Sequence, residues 1–277
     1  MTVFAGPVPQ AAAQSATDLR QQMEASMLVT GRVAIDEHGH VTAHALDGRE
    51  MLPPEVADLV DRRISGLRFD SLHGDGSTGP VNTTMSLRLL AMPGDDGTAV
   101  IRIASAYFGE RPERTGQGAL RVIEPIRPPR YPAAAAEIGG KGVVYLLIKI
   151  GRDGRLEDVA VEQVNLTALG TAHQMRKVRE SLASSAVDTV RRHWSFAPPT
   201  EGPDAGRAYW VLRWPFAFSF DGEPSPAYGQ WVSYHPGPVQ RPAWAVPGAN
   251  GASADALAGS SLVAGSGSPR LLTPLGD

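Results

Sequence analysis

The chain has 277 residues, a formal net charge of −3 and no cysteine, which excludes disulfides, thiolate metal sites, iron–sulfur clusters and cysteine nucleophiles. With 42% hydrophobic and 20% charged residues it can bury a core, and its near-neutral balance leaves no global field for gripping nucleic acid. No stretch approaches the ~18 consecutive apolar residues of a membrane span.

Residues 1–17 are expected to be disordered or the remnant of a signal peptide. Ala11, Ala13 and Ala16 look like the tail of a cleavage region, although no basic segment or long apolar core precedes them. From there the same order of elements appears twice. In residues 18–109, Val29–Ile35 reads as a strand, Asp36–Gly39 as a turn and His40–Leu46 as a returning strand. Pro53 and Pro54 open a helix whose Val56, Leu59, Val60, Ile64 and Leu67 follow the helical period. Phe69 closes it, a Gly-rich loop follows, and Thr83–Leu90 and Ala99–Tyr107 are strands joined by the Asp95-Asp96-Gly97 turn.

Residues 110–127 are a proline-rich linker or a chain laid over a surface, because proline holds itself and its predecessor extended. The joint is basic, with Arg111, Arg114, Arg121, Arg127 and Arg130 against Glu110, Glu113 and Glu124. In residues 128–221, Val143–Ile150 is a strand, Arg152-Asp153-Gly154 a tight turn and Leu156–Glu162 the returning strand. His173–Trp194 is a helix with Met175, Val178, Leu182, Ala186, Val190 and Trp194 on one face, and its last turn is basic as the helix dipole favours. A strand over Ala208–Phe220 sends Trp210, Leu212, Trp214, Phe216, Phe218 and Phe220 to one side and Tyr209, Val211, Arg213, Pro215, Ala217 and Ser219 to the other. Pro215 cannot donate to a ladder, which places this strand at a sheet edge. Gly39 matches Gly154, Leu67 matches Trp194, and Phe69 matches Phe196. Each unit is thus expected to be a small antiparallel sheet with one helix on one face, an α+β arrangement.

The face of the second unit away from its helix carries Val143, Tyr145, Leu147, Tyr209 and Val211, too much apolar surface to stand alone in water. The tail or the first unit covers it, or a partner does. Residues 222–277 form a Pro/Gly/Ser/Ala-rich tail, its stretch from Gly248 to Gly267 expected to be flexible. Trp231, Tyr234 and Trp244 are suited to tacking its first part onto a neighbouring surface.

His38, His40 and His44 fall on one face of the returning strand near Asp36 and Glu37. A metal normally recruits ligands from several elements, so they read as solvated turn residues and no metal site is assigned. His73 is a loop residue with no identifiable partner. Gly265-Ser266-Gly267 sits in the flexible tail and is no nucleophile elbow; no P-loop, dinucleotide fingerprint or His-Glu-x-x-His occurs.

Residues 128–221 resemble the C-terminal domain of TonB, the periplasmic tip of bacterial energy transducers. The features that carry this are Pro129-Arg130-Tyr131-Pro132 before an alanine-rich helical turn, and Gly142 heading an apolar strand. Ile150 precedes Asp153-Gly154, Val159 and Val161 alternate, and Trp194-x-Phe196-x-Pro198 and Pro215-Phe216-x-Phe218 close the block. The first block looks like a degenerate copy that keeps Ile35, the Asp36–Gly39 turn, the helix and Phe69. The resemblance implies a non-enzymatic, periplasmic protein-interaction module without cofactor. Its partner would be an extended peptide, for instance from an outer-membrane TonB-dependent transporter, added to the sheet edge; a homodimer is a further expectation. The matching partner-binding positions are Arg130, Tyr131, Tyr209, Val211 and Arg213. The alternative is a structural or assembly component whose two units pack together and leave no peptide groove.

Overall fold

The computed structural model describes residues 16–70, 80–94, 98–109, 118, 120–123, 125–202, 205–245 and 271–275. His73, the Asp95-Asp96-Gly97 turn, residues 1–15 of the expected leader remnant, most of the expected linker, and the tail over Gly248–Gly267 lie outside the described residues. The fold is α+β, with small antiparallel sheets and a few helices.

After a short helix α1 (Ala16–Gln21), the long strand β1 (Glu24–Ile35) runs through the first sheet. Its second half pairs with β2 (Val41–Leu46), while Ala25 to Ile35 pair with β3 (Val81–Pro93), which in turn pairs with β4 (Ala99–Phe108). Alternation along β1 sends Met27, Val29, Val33 and Ile35 to one side, where they meet Met85, Leu87 and Leu89 of β3. Helix α2 (Pro54–Ser65) covers this face with Val56, Ala57, Val60 and Ile64, all buried. Pro54 starts the helix where a missing N–H costs nothing. Phe69 leaves it to pack edge-on against Phe108, ring centroids 4.8 Å apart.

The second sheet has the order β7 (Leu156–Leu166), β6 (Gly142–Gly151), β9 (Tyr209–Phe218). A short helix α3 (Ala133–Ala136) precedes it. Helix α4 (Ala172–His193) packs on β7 and β6. Thr171 opens α4 with a capping box: its hydroxyl accepts from Gln174 N–H while the Gln174 side chain accepts from Thr171 N–H. Trp194 is the C-cap residue and lies outside the helix, yet still buries its ring with Met175, Val178, Leu182, Ala186 and Val190 against the sheet. The expected strand over Ala208–Phe220 is β9, and it does end the sheet order.

In a separate two-stranded sheet, β5 (Arg121–Val122) pairs with β8 (Phe196–Ala197), and Leu120 is buried in the second core. This part of the proline-rich joint is therefore laid against the second sheet's core. The tail returns to both sheets. Strand β10 (Val232–Tyr234) pairs with the first residues of β1, and His235 next bridges to Leu166 of β7. Trp231 packs on the first core, Tyr234 is buried, and Trp244 Nε1 donates to Asp158 at 2.8 Å. Tyr145 and Leu147, on the helix-free face of the second sheet, are only 5% and 3% exposed.

Candidate functional site at the edge of the second sheet

Strand β9 pairs with β6 over ten residues, from Gly151↔Tyr209 to Gly142↔Phe218, with no shift in register. Pro215 sits inside this run opposite Tyr145. A proline interrupts nothing when its nitrogen faces away from the neighbouring strand, so Val211 and Ala217, in the same phase, also turn their N–H groups outward. Trp210, Leu212, Phe216 and Phe218 bury their side chains in the helix-side core.

The opposite edge of this sheet carries the chain's own tail. Leu166 and His235 exchange backbone hydrogen bonds of 3.0 and 2.8 Å, and Gln240 N–H donates to Glu162 C=O at 2.8 Å. The Gln163 amide donates to Gly237 C=O at 3.0 Å. Arg179 of α4 pins the crossing, donating to Val164 C=O at 3.2 Å, to Pro236 C=O at 3.2 Å and to His235 Nδ1 at 2.9 Å. Of the two outer strands of this sheet, β7 is thus covered by the tail, and among the described residues β9 pairs with β6 alone.

The five sequence-derived positions bracket β9 on its two faces. On the helix side, Tyr131 stacks on Phe220 with ring centroids 5.2 Å apart and meets Phe218 edge-on at 5.7 Å. Its hydroxyl donates to Gly140 C=O, and burial, with a smaller effect of nearby Glu223, raises the phenol above its ordinary pKa. Arg130 is exposed, and its carbonyl accepts from Ser185 Oγ of α4 at 2.6 Å. On the helix-free side, Val211 is half-buried. Tyr209 lies under Lys149, whose ammonium is 4.6 Å from the ring centroid, and donates its hydroxyl proton to Trp244 C=O at 3.2 Å.

Arg213 is engaged from within. Its Nε and Nη2 each donate to the Glu162 carboxylate at 2.7 Å, and both side chains are largely out of water. A bidentate pair of this kind is strong but leaves little guanidinium for a visitor. Arg213 and Tyr131 therefore fasten the edge, while Val211 and Arg130 stand at its surface.

Sequence reasoning had no means of finding Glu162 as the partner of Arg213, because the pair is 51 residues apart in the chain. Between helix and sheet, Trp194 meets Trp214 of β9 at 4.9 Å and Phe216 at 5.3 Å in an aromatic junction. The Trp194 Nε1 there donates to Arg127 C=O at 3.1 Å, which seats residues 127–131 beside β9.

The three histidines of the first sheet do not converge. His44 Nε2 bonds Asp61 Oδ1 on α2 at 2.9 Å, while His40 and His38 turn to Asp36 and Glu37 at 3.6 Å. His44 is thus half-buried on β2 against α2 and is not a solvated turn residue, whereas His38 and His40 are exposed. Among the described residues no group of three His, Asp or Glu side chains is placed to hold a metal ion, and no helix is long and apolar enough to cross a membrane.

Residues 127–220 match the family model of the Gram-negative bacterial TonB protein C-terminal. No curated protein and no solved structure matches the chain.

Proposed function

We propose that the protein is a non-catalytic, TonB-like interaction module that binds an extended peptide by strand addition to β9, a reading supported by the TonB C-terminal match over residues 127–220. The compartment is the periplasm, where TonB-family domains of Gram-negative bacteria work. The peptide belongs to a partner such as an outer-membrane transporter. The observation that carries this is the asymmetry of the second sheet: the tail occupies the β7 edge, and β9 is paired on its β6 side. Outward N–H and C=O groups supply affinity that does not depend on sequence, and alternate side chains supply selection. Val211 and Arg130 meet the visitor, with Tyr131, Tyr209 and Arg213 holding the edge in shape.

The first block, residues 18–109, is a degenerate relative of the same unit on this view. It shares the order strand, turn, strand, helix, Phe, strand, and supports the second block through the shared tail.

Val211→Pro tests the mechanism. Val211 shares the phase of Pro215, so the substitution deletes an outward N–H without removing a bond to β6. Peptide binding should fall at least tenfold, an effect of about 1.4 kcal/mol, with the circular dichroism spectrum unchanged. Undiminished binding would rule out the edge mechanism.

A second function is favoured by one observation, the burial of Tyr145 and Leu147 on a face that no helix of their own sheet covers. It is a structural component in which the two halves are fastened by the tail and no peptide docks. Failure of every extended peptide to bind, together with resistance of the whole chain to limited proteolysis, would favour it.

A further inference from the structure

Two stretches of the chain follow one pattern: an arginine, two apolar residues, a residue with a side-chain oxygen, a proline and a further apolar residue. They are Arg121-Val122-Ile123-Glu124-Pro125-Ile126 and Arg270-Leu271-Leu272-Thr273-Pro274-Leu275. Both take the same kind of seat. Val122 pairs antiparallel with Phe196, the phenylalanine that follows α4, and Leu271 bridges antiparallel to Phe69, the phenylalanine that follows α2. In each case the next amide donates to the carbonyl of the residue before that phenylalanine, Ile123 N–H to Ser195 at 2.9 Å and Leu272 N–H to Arg68 at 2.8 Å.

The side chains agree as well. Val122 and Ile126 are half-buried against the second core, and Leu271 and Leu275 half-buried against the first. Ile123, Leu272, Pro125 and Pro274 are exposed. Period-two alternation puts residues four apart on one side of an extended segment, and the proline, which has no N–H to donate, falls where the pairing has ended. Thr273 adds a bond, its Oγ1 accepting from Arg68 N–H at 2.8 Å. On its other edge the Arg68-Phe69 stretch is already held, since His40 bridges to Arg68 and Phe69 N–H donates to Gly39 C=O at 2.8 Å. Leu271–Leu275 thus fills the remaining edge of a short strand, beside the first core.

We infer that the edge at Arg68-Phe69 is a second peptide-binding site, which takes from a partner protein an extended segment of the pattern apolar, apolar, hydrogen-bond acceptor, proline, apolar, and that Leu271–Leu275 is its built-in competitor. The pattern defines the partner's chemistry because the chain seats it twice, on two different cores. The site is separate from β9 and does not depend on strand addition there. Backbone bonds set the register of the visitor, and two apolar side chains four residues apart select it. Leu271–Leu275 contributes only half-buried apolar side chains and is joined to Ala245 through residues 246–270. It therefore competes as a tethered ligand does, at the effective concentration its tether sets. A partner segment displaces it by exceeding that concentration or by filling the seat better.

The experiment uses the full chain and three fluorescein-labelled peptides: residues 268–276, residues 119–127, and residues 268–276 with Leu271 and Leu275 both replaced by Asp. Fluorescence anisotropy is read on the unaltered chain and on the variant Leu271→Asp/Leu275→Asp, which empties the seat without touching its walls. The variant should bind both native peptides roughly tenfold more tightly than the Asp peptide, and the unaltered chain should bind them roughly tenfold more weakly than the variant does. Val211→Pro, which acts on the second sheet, should change none of these affinities, so failure here leaves the β9 mechanism standing. In the unaltered chain, an excess of unlabelled 268–276 peptide should speed hydrogen exchange at the Leu272 amide, a readout that needs no variant to fold. Absence of binding by the variant, or equal binding of the Asp peptide, overturns the site, as does Leu272 exchange that the peptide leaves unchanged. Equal affinity of the two chains for the native peptides overturns the built-in competitor. A dimer of the unaltered chain that Leu271→Asp/Leu275→Asp dissociates assigns the seat to a second copy and overturns the partner segment.

Discussion

Gly154 and Phe196 meet so closely that a Cβ on the glycine would come within 2.5 Å of the phenylalanine's carbonyl oxygen. Gly39 and Phe69 stand in the same relation, at 2.0 Å. Both glycines close a tight turn in the left-handed region, at φ 76° and 80°, and each is met by the phenylalanine that follows its unit's helix. The hairpin tip is thereby clamped to the chain leaving the helix, twice, in blocks of low residue identity.

Alanine at either glycine combines a positive φ with a clash against backbone, which cannot swing aside. Gly154→Ala and Gly39→Ala should each destabilise the protein by about 2 kcal/mol or more. Urea denaturation would read this, and a midpoint unchanged in both variants would show that the hairpin tips can move away.

Glu162→Gln leaves Arg213 charged and largely buried with half its partner gone. A loss of about 3 kcal/mol is expected, seen as a lower unfolding midpoint. Replacing both residues with a packed apolar pair should cost much less, because the uncompensated charge disappears along with its partner.

Arg179→Ala removes the guanidinium that ties α4 to the tail. Hydrogen exchange at Leu166 and His235 should accelerate roughly tenfold, about 1.4 kcal/mol of local stability. Exchange within α2, which belongs to the first core, should stay as it was.

Asp61 links β2 to α2. Burial alone would raise its pKa, but hydrogen bonds from His44 and from Arg49, at 2.9 and 2.6 Å, outweigh it and hold the carboxyl below its ordinary value. A depressed folded-state pKa contributes stability that is present above the unfolded value of about 3.9 and is lost as pH falls through the folded value. Asp61→Asn should therefore lower stability at neutral pH by about 0.5 kcal/mol, a small figure because the cluster is partly solvated. The difference from the unaltered protein should close on acidification below the folded value, as followed by urea midpoints across pH.

The helices and most strands were legible because their patterns are local. The 3.6-residue period of Met175, Val178, Leu182, Ala186 and Val190 marks α4. Period two along Val144, Leu146, Ile148 and Ile150 marks β6. Strand ends were less legible: β7 continues to Leu166, past Glu162, because it stays paired with β6 as far as Gly142↔Leu166. Strands β5, β8 and β10 hold two or three residues each, too few for any period to show.

By itself the sequence determined that β9 lies at a rim, since Pro215 forbids a neighbour on its nitrogen side, and that Gly39 and Gly154 turn their hairpins. Tertiary structure alone decided which charges face outward. Glu162 takes Arg213 out of play across 51 residues, Asp61 takes His44, and the tail takes the β7 edge. Periodicity reports which way a residue points within its own element, but a pairing between distant elements is chosen by the packing of the whole chain.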